Sequence, residues 1–241
     1  MRVYVGFDDT DTHDSDYGTG KLVRRFECVL PDGCKLWGVV RQQLLVDERI
    51  PYTSHNSSAC AIVDIVDPSF MIDELISKAI DHIEQESTEG SDPGLCIVSE
   101  NDPVLSQLIS LGRLCTARVI TQQEILQAAN GTHISGHGGN NDGIIGAAAA
   151  VGLTASGWCG RFIEFGRLRE YPHMITVAEL ERYGIHVVSL DRNTMVPDHD
   201  DMVSTKGWLR PRLWGSRPIL PIIPIGKKLW ESLGEKRRKN K

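Results

Sequence analysis

The first twelve residues, MRVYVGFDDTDT (1–12), join an apolar strand pattern to an acidic cluster. Val3 and Val5 alternate with their neighbours, so the sequence predicts a strand over residues 1–7. Three carboxylates follow it: Asp8, Asp9 and Asp11. Active sites of α/β proteins gather at the carboxyl ends of strands. Neighbouring carboxylates repel one another unless a cation neutralises them, and Mg²⁺ is commonly bound by one or two carboxylates plus substrate phosphates. We therefore predict that these three residues bind Mg²⁺, with Asp8 and Asp9 catalytic. The alternative is a solvated acidic turn.

Further along the chain, strand and helix patterns alternate, which predicts a mixed α/β (α+β) protein. Strands are predicted at 59–66, 94–99, 117–120, 158–165 and 187–190, and helices at 21–30, 70–85, 103–111, 122–129, 144–151 and 177–183. Thr121 is predicted to N-cap the helix at 122–129, with Glu124 in its first turn. Residues 36–45 fit a strand or a short helix equally well, the stretch 208–224 has no clear pattern, and 229–241 suggests a frayed basic helix.

A glycine-rich segment, residues 131–166, holds ten of the 23 glycines of the chain. Glycines let a backbone approach a ligand closely, and a helix N-terminus favours phosphate. We predict that the loop before the helix at 144–151 binds phosphate through six residues: Gly138, Gly139, Asn140, Asn141, Asp142 and Gly143. The alternative is a purely structural loop. His133 and His137 are four residues apart, but a glycine-rich segment does not hold them on one helical face, so zinc binding is not expected.

A second candidate anion site is Gly18-Thr19-Gly20-Lys21. It is not a P-loop, because Ser15 stands where that motif needs its first glycine and Leu22 where it needs a hydroxyl. A glycine pair followed by a lysine can still bind phosphate through backbone amides and the ammonium group. We predict this role for all four residues, with Lys21 also catalytic. The alternative is a flexible turn with a solvated lysine.

The composition of the 241 residues is that of a globular protein, with 41% hydrophobic and 24% charged residues and a net charge of −6. Five of the 26 basic residues lie in the tail at 236–241, so a broadly basic nucleic-acid surface is not expected. No apolar run approaches the roughly 18 residues of a membrane span. The early acidic cluster argues against a secretory signal. Six cysteines without a CxxC pair predict reduced thiols in a cytoplasmic protein.

Several motifs together resemble the archaeal tRNA(Ile) agmatidine synthetase (TiaS) family. The most specific are Gly6-Phe7-Asp8-Asp9-Thr10-Asp11-Thr12, similar to G-[IV]-D-D-T-D-[ST], and 141–152, similar to G-x-G-L-I-G-A-x-A-A-[IV]-G. Weaker similarities lie at 50–53, 92–95 and 211–217. Their order and spacing hold over about 220 residues of this chain.

The resemblance implies a kinase-like domain that uses ATP and Mg²⁺, with a ferredoxin-like domain inserted in it. We assign residues 1–57 and 130–235 to the kinase-like domain, 58–129 to the inserted domain and 236–241 to a basic tail. In that family the aspartates serve Mg²⁺ and ATP, and the enzyme activates a cytidine of tRNA before agmatine attacks. The resemblance thus implies an ATP- and Mg²⁺-dependent phosphotransferase or ligase connected with tRNA modification.

This chain also departs from the family pattern. The basic W-K-T-R step of the family is replaced by Tyr52-Thr53-Ser54-His55, and nothing matches the family's OB-fold or zinc ribbon. We therefore expect weak, salt-sensitive tRNA binding that depends on the tail at 236–241. The alternative function is a non-catalytic nucleotide- or RNA-binding module whose partner protein supplies the tRNA-binding domains. A homo-oligomer is also compatible with the sequence.

Overall fold

The computed structural model describes residues 1–53, 55–66, 68–166 and 168–234. These residues form twelve strands and six α-helices. The strands are β1 (Arg2–Asp8), β2 (Cys34–Gln43), β3 (Ser57–Ile65), β4 (Gly94–Ser99), β5 (His133–Gly136), β6 (Arg161–Glu164), β7 (Met174–Thr176), β8 (His186–Ser189), β9 (Met202–Ser204), β10 (Arg212–Trp214), β11 (Arg217–Gly226) and β12 (Leu229–Ser232). The helices are α1 (Thr19–Arg25), α2 (Pro68–Glu86), α3 (Leu105–Leu114), α4 (Gln122–Ala128), α5 (Gly143–Ala155) and α6 (Val177–Arg182).

The first four strands and first two helices follow one another as β-α-β-β-α-β. In the sheet these strands lie in the order β4-β1-β3-β2, with antiparallel neighbours. This is the ferredoxin-like arrangement. One face is covered by α1 and α2, whose apolar side chains pack on those of β1: Leu22, Leu75 and Ile83 join Val5 and Phe7 in one buried cluster.

The opposite face of the same strands is covered by α5, which is almost completely buried. Its sequence, GIIGAAAAVGLTA, is dominated by small residues because the helix is packed on two sides. On the sheet side, a Cβ atom at Gly6 of β1 would overlap the carbonyl oxygen of Ala147, and one at Gly94 of β4 would overlap the backbone of Gly143. On the outer side, Gly152 lies equally close to Leu108 of α3. Glycine at these positions sets how closely the helix approaches the sheet.

The sheet continues past β2 through the carboxyl-terminal half of the chain. Its full order is β5-β4-β1-β3-β2-β6-β10-β11-β12-β9-β7, and β8 pairs in parallel with β11. A third apolar cluster lies along this half, where Phe162, Leu180, Leu213, Leu220 and Trp230 are buried. None of the helices in the described residues has the length and hydropathy needed to cross a membrane.

Most of the predicted elements are observed, including the Thr121 cap, which forms a capping box with Glu124. Two are wrong. Residues 117–120 form no strand, because the chain leaves α3 through a turn in which Ala117 and Arg118 donate to the carbonyl of Leu114. Residues 229–232 form β12 between β11 and β9 rather than a helix. The basic tail lies outside the described residues.

Two further differences concern the glycine-rich segment and the domain boundaries. Residues 133–136 at the start of this segment, for which no strand is predicted, pair with β4 as the edge strand β5. The predicted boundary between residues 57 and 58 falls at the start of β3, inside the ferredoxin-like unit, which spans 2–99. The mixed α/β class is confirmed. The assignment of residues 1–57 and 130–235 to a kinase-like domain stays a prediction.

The contact between α5 and β1 gives a stability test. We expect Gly6→Ala to lower the free energy of unfolding by about 3 kcal/mol, because the new methyl group has to push the Ala147 carbonyl away in a close-packed core. Gly226→Ala, where the added atom meets Leu229 at an ordinary 3.7 Å, serves as the control and should change stability little. Urea unfolding of both variants measures the difference. Equal free energies of unfolding of the two variants would contradict a close contact between Gly6 and the Ala147 carbonyl.

Candidate functional site

A cavity of about 390 Å³ opens at the carboxyl end of β1. Its walls come from the acidic loop after β1, the segments 49–53 and 55–57, the segment 118–122 and the first residues of α5. The apolar part of the wall includes Leu44, Cys115, Ile120 and Ile145. The three predicted metal ligands, Asp8, Asp9 and Asp11, all line the cavity, together with Thr19, Asp142 and Gly143. Two segments more than a hundred residues apart therefore meet at one site.

Asp11 is held in place by a hydrogen-bond network. Its Oδ1 accepts from the backbone N–H of Thr19 at 3.0 Å and from the Thr19 hydroxyl at 3.2 Å. Its Oδ2 accepts from the hydroxyl of Thr53 at 3.1 Å. Buried Thr10 donates to the Thr19 hydroxyl at 3.0 Å and ties the loop to the start of α1. Asp11 is thus a fixed carboxylate at the edge of the cavity.

Asp8 lies against the first turn of α5. A Cβ atom at Gly146 would overlap its carboxylate, so glycine at this position makes room for Asp8. Burial, together with the nearby charges of Asp9 and Asp11, raises the pKa of Asp8 to about 8. In the part of the chain that the structure describes, no lysine, arginine or histidine forms an ion pair with any of these three aspartates.

Asp9 has both an unusual backbone and an unusual electrostatic environment. Its φ of 51° lies in the left-handed region, which a non-glycine residue adopts at a cost of roughly 1 kcal/mol or more. Burial, together with the charges of Asp92, Asp11 and Asp142, raises its pKa to about 6. A strained, uncompensated carboxyl among other carboxyls is typical of a functional position.

The glycine loop is closed by a carboxylate of the chain itself. Asp92 accepts hydrogen bonds from three consecutive backbone amides, those of Asn140 at 3.3 Å, Asn141 at 2.7 Å and Asp142 at 3.0 Å. Consecutive amides in this geometry favour an anion, and here the carboxylate of Asp92 is the anion that they bind. Gly138, Gly139, Asn140 and Asn141 do not line the cavity, whereas Asp142 and Gly143 do. Phosphate binding by the loop stays a prediction.

The second candidate anion site is only partly at the cavity. Thr19 lines it, but Gly18, Gly20 and Lys21 do not. The Lys21 side chain is exposed, and its ammonium group lies 4.7 Å from the centre of the Tyr17 ring. Its catalytic and phosphate-binding roles stay predictions.

The two histidines of the glycine-rich segment share a hydrogen-bond partner. The hydroxyl of Ser135 lies 3.1 Å from Nε2 of His133 and 2.8 Å from Nε2 of His137.

The donor set at the cavity suits Mg²⁺ that is shared with a ligand. Among the described residues, a tighter acidic cluster lies elsewhere: carboxylate oxygens of Asp198, Asp200 and Asp201 all lie within 4.8 Å of one another. There the ammonium group of Lys228 lies 2.6 Å from Asp200 and supplies a positive charge. The cavity aspartates are more widely spaced and have no such partner in the described ranges. Mg²⁺ usually takes one or two carboxylates and completes its shell with phosphates and water, so a site for it needs only one or two of the three cavity aspartates.

Some lining residues carried no sequence pattern that predicted a role. Arg49 and Arg118 line the cavity, and each pairs with a carboxylate, Asp47 at 2.8 Å and Glu124 at 2.6 Å. Gln122 donates to Asp142 Oδ1 at 2.6 Å and so links α4 to the glycine loop. Isolated arginine and glutamine residues give no periodic or motif signal, and only the folded chain brings them to the cavity.

Comparison with known proteins gives matches among solved structures. No protein-family model matches the chain, and no curated protein matches it. The structure of a tRNA fluorescent labeling enzyme superposes with a TM-score of 0.54 and 27% identity, over 63% of this chain and 36% of that chain. Apo TiaS, a tRNA agmatidine synthetase, superposes with a TM-score of 0.53 and 25% identity, over 63% of this chain and 35% of that chain. A complex of TiaS with an isoleucine tRNA and ATP superposes with a TM-score of 0.53 and 26% identity, over 63% of this chain and 36% of that chain.

A fourth match extends the shared fold. A complex of TiaS with the same tRNA, AMPCPP and agmatine superposes over 76% of this chain with a TM-score of 0.53, at 23% identity. The chain is therefore structurally similar to TiaS over 63–76% of its length. It spans 35–44% of the length of the TiaS chains in these structures.

The raised pKa of Asp8 predicts how stability depends on pH. The unfolded chain loses the Asp8 proton near pH 3.8, whereas the folded chain keeps it up to about pH 8. Between these values the folded state binds more protons, so the free energy of unfolding falls as the pH rises, by up to about 1.4 kcal/mol per pH unit. We expect this decline in urea unfolding between pH 5 and 8, and a flatter dependence in Asp8→Asn. The exposed Asp14→Asn should keep the decline of the unmodified chain, and the same slope in all three proteins would contradict the prediction.

Proposed function

We propose that this chain is an ATP- and Mg²⁺-dependent phosphotransferase or ligase whose nucleotide binds in the cavity at the end of β1. The observation that carries this proposal is the convergence of Asp8, Asp9 and Asp11 on one cavity without a positive partner among the described residues. The ATP complex of TiaS, similar in structure over 63% of this chain, supports the choice of nucleotide.

Mg²⁺ would be held by the aspartates, Asp11 being fixed by Thr19 and Thr53, and Asp8 and Asp9 being turned toward the same space. When bound, the ion would neutralise negative charge on the phosphates, which is the main requirement of phosphoryl transfer. Cation binding would also lower the pKa of Asp8 and Asp9, because it favours their charged forms. The carboxylates of the acidic loop would thus repel phosphate in the absence of the metal. With Mg²⁺ bound, the loop would bind phosphate through the ion.

The remaining walls fit the other parts of a nucleotide. The apolar patch of Leu44, Ile120 and Ile145 offers a surface for a base, and cavities of this size are typical of small-molecule sites. Arg49 and Arg118 at the cavity could exchange their carboxylate partners for phosphate oxygens, since arginine binds both in the same bidentate way. Asp142 and Gly143 would lie beside the phosphates at the start of α5.

We further propose that the acceptor of the reaction is an RNA, because the similar structures include a tRNA complex of TiaS. The chain spans 36% of the length of that protein. We also propose a cytoplasmic location, where cysteine thiols stay reduced. The second candidate function is a non-catalytic nucleotide-binding module that acts with a partner protein. It keeps the same cavity but predicts no turnover.

Nucleotide binding tests the role of the acidic loop. We expect Asp9→Asn to weaken the Mg²⁺-dependent binding of a non-hydrolysable ATP analogue at least tenfold in calorimetry, because it removes one charge that would bind the ion. Asp14→Asn removes the same charge from the same loop at an exposed residue outside the cavity lining and should bind like the unmodified chain. Equal affinities of the two variants would refute the proposed metal site.

Turnover separates the enzyme from the binding module. The pure chain, given Mg²⁺, ATP and total tRNA, is expected to release phosphate or pyrophosphate at a rate that falls at least a hundredfold in Asp8→Asn. Binding of ATP with no product, even when RNA is present, would favour the non-catalytic module. Product formation at an equal rate in Asp8→Asn would place the chemistry elsewhere.

A further inference from the structure

A row of three arginines crosses three neighbouring strands. Arg41 of β2 lies directly opposite Arg161 of β6, and Arg161 lies directly opposite Arg212 of β10. Side chains directly opposite one another in antiparallel strands share a face and have Cβ atoms about 5 Å apart. Three guanidinium groups therefore follow one line across the sheet, on a chain whose net charge is −6.

A groove of about 600 Å³ runs past this row and is distinct in its lining from the cavity at β1. Arg113 of α3 adds a fourth guanidinium group to its wall. Two tryptophans also line it: Trp158, which is 67% exposed, and Trp214, whose ring centre lies 5.1 Å from the guanidinium carbon of Arg212. None of the described residues that line the groove is acidic.

The arginines of the groove are electrostatically uncompensated. Within the described ranges, no carboxylate forms an ion pair with Arg41, Arg113, Arg161 or Arg212. Burial lowers the pKa of Arg41, and the charge of Arg161 lowers it further. Like charges placed directly opposite one another destabilise a sheet. Repulsion among the arginines of the row therefore destabilises the fold, and a bound polyanion would remove this repulsion.

We propose that this groove binds a single-stranded nucleic acid, with Arg41, Arg161 and Arg212 along its phosphates and Trp158 and Trp214 stacked on its bases. Guanidinium groups bind phosphate through paired hydrogen bonds. Alternation of such cations with exposed aromatic rings is the usual way in which proteins hold single strands without reading their sequence. A duplex hides its base faces and an acidic peptide has none, so both would leave Trp158 without a stacking partner.

The site is independent of the nucleotide cavity, and it places nucleic-acid binding on the folded body rather than on the basic tail. The groove draws most of its residues from the end of β2, the start of β6, β10, the end of α3 and the segment after α5. No lining residue is common to the two pockets. Binding at the groove should therefore need neither ATP nor Mg²⁺, and its loss should leave nucleotide binding intact.

The test is fluorescence anisotropy of the full chain with a labelled twelve-nucleotide RNA of mixed sequence, in EDTA and without ATP. We expect Arg161→Gln combined with Arg212→Gln to weaken binding at least tenfold at 50 mM KCl. It should also reduce the slope of log affinity against log salt by about 1.4, because each phosphate contact on a single strand contributes about 0.7. The matched control, Arg182→Gln combined with Arg192→Gln, removes two exposed arginines outside both pockets and should bind like the unmodified chain.

Two further measurements examine stacking and the choice of ligand. Trp158→Ala should weaken RNA binding about tenfold and Trp158→Phe should largely restore it, since any aromatic ring can stack on a base. Single-stranded DNA should bind comparably, and duplex RNA or a poly-glutamate peptide at least tenfold more weakly.

Equal binding by the two double-arginine variants would overturn the proposal, as would tight binding of the duplex or the peptide. Thermal melting confirms that each variant is folded. Because ATP is absent, failure here leaves the proposed function of the cavity at β1 untouched.

Discussion

The close packing of α5 on β1 and β4 is the contact on which the rest of the structure depends. Gly6 and Gly94 on the strands and Gly143 on the helix leave no room for side chains between the two backbones, and Gly146 leaves room for the carboxyl group of Asp8. The small residues of α5 also let α3 pack on its outer side, at Gly152. One buried helix therefore fixes the second face of the ferredoxin-like unit and carries the glycine loop to the end of β1.

This packing also decides the electrostatics of the cavity. Because Gly146 has no side chain, the carboxyl of Asp8 is enclosed against the helix and its pKa rises to about 8. Asp92 draws the amides of the glycine loop onto itself, so the loop delivers another carboxyl, Asp142, to the site. The result is an acidic cavity that attracts a cation first and phosphate through that cation.

Charge is distributed unevenly over the surface, although the net charge is modest. The carboxyls converge where β1 meets α5, and the arginines converge where β2, β6 and β10 lie side by side. The net charge of −6 averages over both and therefore hides the basic groove. Local potential depends on which strands become neighbours, and strand order is a property of the sheet rather than of composition.

The sequence alone determined the elements with strong local patterns. Alternation predicted β1, apolar runs predicted β3 and β4, helical spacing predicted α2 and the Thr121 cap predicted α4, because these features depend on neighbours in the chain. It also brought Asp8, Asp9 and Asp11 forward as a candidate site. The tertiary structure alone decided the strand order β4-β1-β3-β2, the pairing of β5, the closure of the glycine loop by Asp92 and the row of Arg41, Arg161 and Arg212. Each of these joins residues far apart in sequence, and such contacts are fixed by packing and register, which no local pattern contains.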